Sequence, residues 1–154
     1  MANLLTGQVI NKLDAAARLY YRLIIVAGYV NEEKMAAFRN VQKYTGAPLI
    51  NVNLELSRTM LELTERQRVL QLPQLLGDLI KEAYSDVVLL DNMEILFEVS
   101  LRQDPLRLLQ GLSRNKTIIV SWNGNVENDY LMYAVPEHPE FKRYKIADLL
   151  VVVD

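Results

Sequence analysis

A glycine and a lysine stand at the spacing of a phosphate-binding loop near the start of the chain. The apolar run 23–27 ends at Gly28, and Lys34 follows as in the pattern GxxxxGK[ST]. In that pattern a second glycine lets backbone N–H groups curl around the phosphates, and a hydroxyl after the lysine ligates magnesium. Here Glu33 replaces the second glycine and Met35 replaces the hydroxyl. The segment therefore predicts a strand, a loop and a helix, with Gly28 and Lys34 left to contact a nucleotide.

The residues just before Lys34 also have an ordinary structural interpretation. Asn31 can cap a helix, and Glu32 and Glu33 in its first turn would complement the positive end of the helix dipole. Those carboxylates would occupy the place in which a helix N-terminus holds phosphate. We therefore expect Glu32 and Glu33 to fill the phosphate position, with Lys34 paired to one of them or to Asp91.

A second acidic position follows a buried apolar run. Residues 87–90 lead into Asp91, which is the form of a Walker B strand whose acid holds magnesium through water. The next position, commonly a glutamate in hydrolytic proteins, is Asn92, which can orient water but cannot accept its proton. Glu94 could substitute if the chain turns back. Asp91, Asn92 and Glu94 are thus candidate catalytic residues and Asp91 a candidate magnesium ligand, unless Asp91 merely ends a strand.

Polar residues also end the next apolar run, at Ser121-Trp122-Asn123. Ser121 and Asn123 are placed to sense a terminal phosphate, and we take Ser121 as a candidate nucleotide contact. The alternative is that a strand end needs polar residues anyway. Trp122 has no aromatic partner in a basic context, which favours packing over base stacking.

The basic residues form two further candidates. Arg143, flanked by Lys142 and Lys145, could complete a catalytic site on a neighbouring subunit as an arginine finger, or could simply be solvated. A second basic cluster could contact DNA phosphates; it consists of Arg102, Arg107, Arg114 and Lys116.

Composition narrows the classes of protein further. With 154 residues, half of them hydrophobic, the chain is sized for one domain, residues 1–154, with a sizeable core. A net charge of -2 gives no global attraction to nucleic acid. Absent cysteine and a single histidine, His138, exclude thiolate and multi-histidine metal sites. No leader or membrane-length apolar run stands out, so we expect a cytoplasmic protein that does not contact membrane.

Helical periodicity and strand-like runs alternate along the chain. Helices are predicted over 6–20, over 32–45 with a stop near Gly46, across 72–83, and from the Asp104-Pro105 start signal onwards. Five strands are predicted at 22–27, 49–53, 86–91, 117–121 and 149–153. Within 122–148 we expect a turn at 123–125 and a short strand at 131–133. The alternation favours an α/β fold with a parallel sheet wrapped by helices.

Taken in order, these motifs resemble BrxF, the family of small P-loop proteins of type 3 BREX bacteriophage-defence systems. The similarity rests on the loop around Gly28 and Lys34 and on the blocks 51–57, 88–97, 103–115, 121–124 and 133–140. The resemblance implies a three-layer P-loop NTPase fold of the AAA+ (ASCE) kind, with the five predicted strands in the order 5-1-4-3-2. It also implies ATP and Mg²⁺ as cofactors, and work beside a DNA methyltransferase, a large ATPase and a phosphatase-like partner.

Three hypotheses for function follow. The first is an accessory subunit of such a complex, acting as a scaffold or regulator with weak or no nucleotide binding because Glu33 and Met35 replace key positions. The second is an ATPase whose site is completed by homo-oligomerisation. The third is an adaptor that contacts DNA through the cluster around Arg107.

Overall fold

The computed structural model describes residues 4–153, and these form helices and two sheets. The helices are α1 Leu4–Ala17, α2 Asn31–Thr45, α3 Val52–Thr59, α4 Glu65–Glu82 and α5 Pro105–Leu112, with short 3-10 helices at Glu94–Phe97 and Val99–Leu101. The strands are β1 Leu23–Ala27, β2 Leu49–Asn51, β3 Val87–Asp91, β4 Thr117–Trp122, β5 Gly124–Glu127, β6 Tyr130–Tyr133, β7 Lys142–Lys145 and β8 Leu150–Val153.

The main sheet is parallel and has five strands in the order β2-β3-β4-β1-β8. When these strands are numbered 1 to 5 along the chain and read from β8 to β2, the order is 5-1-4-3-2. The predicted strand order is therefore confirmed. The strands β5, β6 and β7 form a separate antiparallel sheet inserted between β4 and β8. Because all strands of the main sheet run the same way, their carboxyl ends, and the loops that follow them, share one edge.

Alternation along the strands divides the core into two layers, one on each face of the sheet. Ile24 and Val26 pack with α1 and α2. The alternate residues of β1 pack with α3, α4 and α5; they are Leu23, Ile25 and Ala27. All five residues of β1 and all six of β4 are buried, as expected of central parallel strands covered on both sides. No helix within residues 4–153 is long and apolar enough to span a membrane.

Local signals set most helix ends. Gly46 ends α2 in the left-handed conformation at φ 74°, with its N–H donated to the Gln42 carbonyl, which confirms the predicted stop. Asp104 accepts from the Arg107 N–H at the start of α5, and Pro105 is the first helical residue, also as predicted. The predicted helix across 72–83 is the second half of α4.

Three boundary predictions differ from the structure. The first helix ends at Ala17 rather than at residue 20. The second strand ends at Asn51 rather than 53, because the Asn51 side chain accepts from the Leu54 N–H and starts α3. The predicted turn at 123–125 is a bend at residue 123 alone, since strand β5 begins at Gly124, and a further turn lies at Asn128 and Asp129, both with positive φ. Gly124 serves close strand approach, since a Cβ there would meet the Met132 carbonyl oxygen at 1.9 Å.

Candidate functional site

Lys34 is buried at the carboxyl edge of the main sheet, with 1% of its surface exposed. Its Nζ donates to the Trp122 carbonyl oxygen at 3.2 Å and to Asn123 Oδ1 at 2.6 Å. The predicted partners were Glu32, Glu33 or Asp91; these two acceptors belong to the last residue of β4 and to the residue that follows it. A buried ammonium is tolerated only when it is well hydrogen-bonded, so these contacts keep the cation in the fold.

The loop before Lys34 is too short to form a phosphate cradle. Only Gly28, Tyr29 and Val30 separate β1 from α2, and Asn31 is already helical. The predicted Asn31 cap is therefore wrong: Val30 occupies the cap position, without a side-chain hydrogen bond. Gly28 has φ 154°, a value that suits glycine, and donates its N–H to the same Trp122 carbonyl that Lys34 contacts.

Glu32 and Glu33 occupy the first turn of α2, as predicted, and both are exposed. The carboxylates therefore complement the positive end of the helix dipole at its surface. A triphosphate with Mg²⁺ does not fit the residues arranged in this way, since the lysine is buried and the helix has replaced the loop.

Asn123 extends the Lys34 contacts to a carboxylate. Its Nδ2 donates to Glu94 Oε1 at 2.9 Å, so one amide connects the cation to the anion. The other oxygen of Glu94 lies 3.5 Å from Asn53 Nδ2, and Asn53 Oδ1 accepts from the Ile95 N–H at 2.8 Å. We call Lys34, Asn123, Glu94 and Asn53 the Lys34 site; it joins segments that follow β1, β4, β3 and β2.

Glu94 reaches this site because the chain turns back after β3. Asn92 has φ 49°, and its carbonyl oxygen accepts from the Asn53 N–H at 2.7 Å. The side chain of Asn92 is exposed, and Asp91 is half-buried beside Asn51 of β2. Of the three candidate side chains at this strand end, Glu94 is the one that contacts the amides of Asn123 and Asn53.

The remaining nucleotide and metal candidates are less connected. Ser121 is buried within β4, paired in register with Val26, one residue before the carbonyl that Lys34 contacts. Within residues 4–153 no group of three or more histidine, aspartate or glutamate side chains is arranged to hold a metal ion.

Aromatic rings cover the side of the site that faces the small sheet. Phe97 stacks on Tyr133 with ring centroids 3.6 Å apart, and the Trp122 indole donates to the Met132 carbonyl at 3.1 Å. Burial, and then the charges of Glu94 and Glu140, raise the pKa of Tyr133 to about 12. The neutral phenol is thus strongly favoured beside the Glu94 carboxylate.

Arg143 and the predicted DNA cluster lie outside the Lys34 site. The Arg143 guanidinium covers the Tyr130 ring at 4.3 Å on the small sheet, and Arg114 covers Tyr20 at 4.5 Å. Lys116 donates to the Ile80 and Ala83 carbonyls, where it caps the end of α4. Arg107 is exposed on α5, and Arg102 lies at a separate cavity.

Asn53 is the site residue that the sequence did not reveal. Residues 49–53 were predicted as strand, which would have placed Asn53 within the second strand of the sheet. The available signal was the pair Asn51 and Asn53 directly after an apolar run, since asparagine is favoured at helix starts. An Asn51 cap brings Asn53 into the first turn of α3, facing the segment after β3.

The fold and the Lys34 site are the basis for classifying this protein. They define an α/β protein with a parallel five-stranded sheet, helices on both faces and a hydrogen-bonded polar site at the carboxyl edge. No family model, curated protein or solved structure matches the chain.

Proposed function

We propose that this chain is a non-catalytic P-loop-fold subunit in which the residues of a phosphate site have become a structural connection. The observation that carries the proposal is Lys34, which is buried to 1% exposure and donates to the last residue of β4 and to the residue that follows it. A lysine that contacts phosphates has to reach solvent and ligand. Here that would require breaking two hydrogen bonds and reopening the first turn of α2.

The resemblance to BrxF supports the wider setting of this proposal, a scaffold or regulatory role in a phage-defence assembly. The sheet order agrees with that resemblance. The setting has its own test: the genes flanking this one should encode a DNA methyltransferase, a large ATPase and a phosphatase-like protein. A locus encoding none of these would contradict the assembly while leaving the structural role of Lys34 unaffected.

Isothermal titration calorimetry of the full chain with ATP and Mg²⁺ tests the biochemical half. We expect no heat of specific binding at millimolar nucleotide and no phosphate release. Micromolar affinity with steady turnover would contradict the proposal. Turnover that rises faster than linearly with protein concentration and is lost in Arg143→Ala would instead establish an ATPase completed between subunits.

A further inference from the structure

A second polar site lies on α4, and none of its residues belongs to the Lys34 site. It is a cavity of about 550 Å³ between the first half of α4 and the second 3-10 helix. We call it the α4 cavity; it is lined by Glu65, Arg66, Val69, Leu70, Ser100 and Arg102. Its size falls in the range of sites that hold small ligands or peptide side chains.

The wall of this cavity is held in place by a proline inside α4. Pro73 has no N–H, so the Val69 carbonyl lacks its usual partner four residues later in the helix. Gln103 supplies one: its Nε2 donates to the Val69 carbonyl at 3.1 Å and to the Leu101 carbonyl at 2.8 Å. The segment carrying Arg102 is thereby fixed against α4, and the cavity is preformed.

The two arginines at the cavity are exposed cations without protein partners. Within residues 4–153 neither Arg66 nor Arg102 makes an ion pair or a side-chain hydrogen bond. Arg102 also adopts the left-handed conformation at φ 53°, which is unfavourable for a residue with a long side chain. Strain of this kind is commonly retained at ligand-binding positions.

Apolar side chains stand beside these cations. Leu70, which lines the cavity, is 70% exposed, and Val99, next to Ser100 of the lining, is 60% exposed. The cavity therefore offers an apolar surface next to two guanidinium groups, each able to bind a carboxylate through two parallel hydrogen bonds.

We propose that the α4 cavity binds a peptide segment of another protein in which a leucine-like or aromatic side chain is next to an aspartate or glutamate. The apolar side chain packs on Val69 and Leu70 while the carboxylate bridges Arg66 and Arg102. The apolar side chains of Val69 and Leu70 favour such a peptide over a nucleic acid, because a nucleic acid presents a run of phosphates that needs a continuous basic track.

Selection of a random peptide library displayed on phage against the full chain tests this assignment without presuming a sequence. We expect a consensus that pairs an apolar residue with an acidic one. A synthetic consensus peptide should bind the wild-type chain and lose about tenfold in affinity with each of Arg66→Ser and Arg102→Ser, since a charge-assisted hydrogen bond is worth about 1.5–3 kcal/mol. Leu70→Ser should weaken binding as well.

The matched control removes two exposed positive charges elsewhere. Arg39→Ser with Arg107→Ser removes as much positive charge as Arg66→Ser with Arg102→Ser, and should leave peptide affinity unchanged. No enriched consensus, a consensus without an acidic residue, or equal affinity in the cavity variants would overturn the proposal. A consensus matching residues 29–33 of this chain, together with dimerisation lost in Arg66→Ser, would also overturn it, because the occupant would then be a second copy.

Discussion

The Lys34 site and the α4 cavity both contain basic side chains, but they differ in what those cations contact. Lys34 is buried and donates to acceptors of its own chain, whereas Arg66 and Arg102 are exposed and have no acceptor in residues 4–153. A hydrogen-bonded, desolvated cation contributes to folding, and an unpaired cation beside apolar surface is available to a ligand. This difference is the basis for the two proposals, a structural role for the Lys34 site and a recognition role for the α4 cavity.

The largest effect is expected from removing the buried ammonium, which tests whether Lys34 stabilises the fold. Lys34→Met keeps most of the unbranched side chain but leaves Asn123 Oδ1 without its donor, and the free energy of unfolding should fall by about 2–4 kcal/mol. Urea denaturation would measure the change, with the exposed Lys43→Met on the same helix as the control. A loss below about 0.5 kcal/mol would show that Lys34 is not a structural residue.

The ionisation of Tyr133 tests the aromatic side of the Lys34 site. The pKa of this phenol is raised from 10.0 to about 12 by burial first and by Glu94 and Glu140 next. Because the unfolded chain ionises earlier, the stabilising contribution is complete below pH 10 and is lost as the pH rises to about 12. We expect a loss of about 1–2 kcal/mol over that interval.

Tyr133→Phe should remove this part of the alkaline loss while keeping the ring stacked on Phe97. Glu94→Gln should lower the pKa of Tyr133 only partly, since burial is the larger cause. Denaturation at a series of alkaline pH values would record both effects. An unchanged slope in Tyr133→Phe would mean that this phenol is not desolvated by the fold.

The smallest expected effect concerns the α4 cavity. One substitution there should raise the stability of the fold and weaken peptide binding. Arg102→Gly relieves the left-handed conformation at φ 53°, so stability should rise by about 0.5–1 kcal/mol. The same substitution should weaken binding of the consensus peptide about tenfold, as Arg102→Ser does, because it removes the same guanidinium. Thermal unfolding and peptide titration on one preparation would test both, and Arg66→Ser, which has ordinary helical backbone, should reduce binding without stabilising the fold.

The α4 cavity and the Lys34 site also differ in how far they could be predicted from the sequence. Asp104-Pro105, Gly46 and the alternation of apolar strands with helices are local signals, and the structure confirms the elements that they predict. The Lys34 contacts are not local, since Trp122 and Asn123 lie 88 and 89 residues along the chain. Arg66 and Arg102, which line one cavity, are also far apart in the sequence. Pro73 is the local signal in α4, since it leaves a carbonyl without its helical donor.

The sequence by itself determined α1, α2, α5 and the second half of α4, the strands of the main sheet, and the replacement of the second glycine and the hydroxyl around Lys34. Those features follow from periodicity, caps and residue type, which act over a few residues. Tertiary structure alone decided that Lys34 would donate to the end of β4 and that Glu94 would turn back towards it. The reason is physical: a buried charge takes the acceptors that the packed sheet presents, and those are set by strand order rather than by neighbours in the chain.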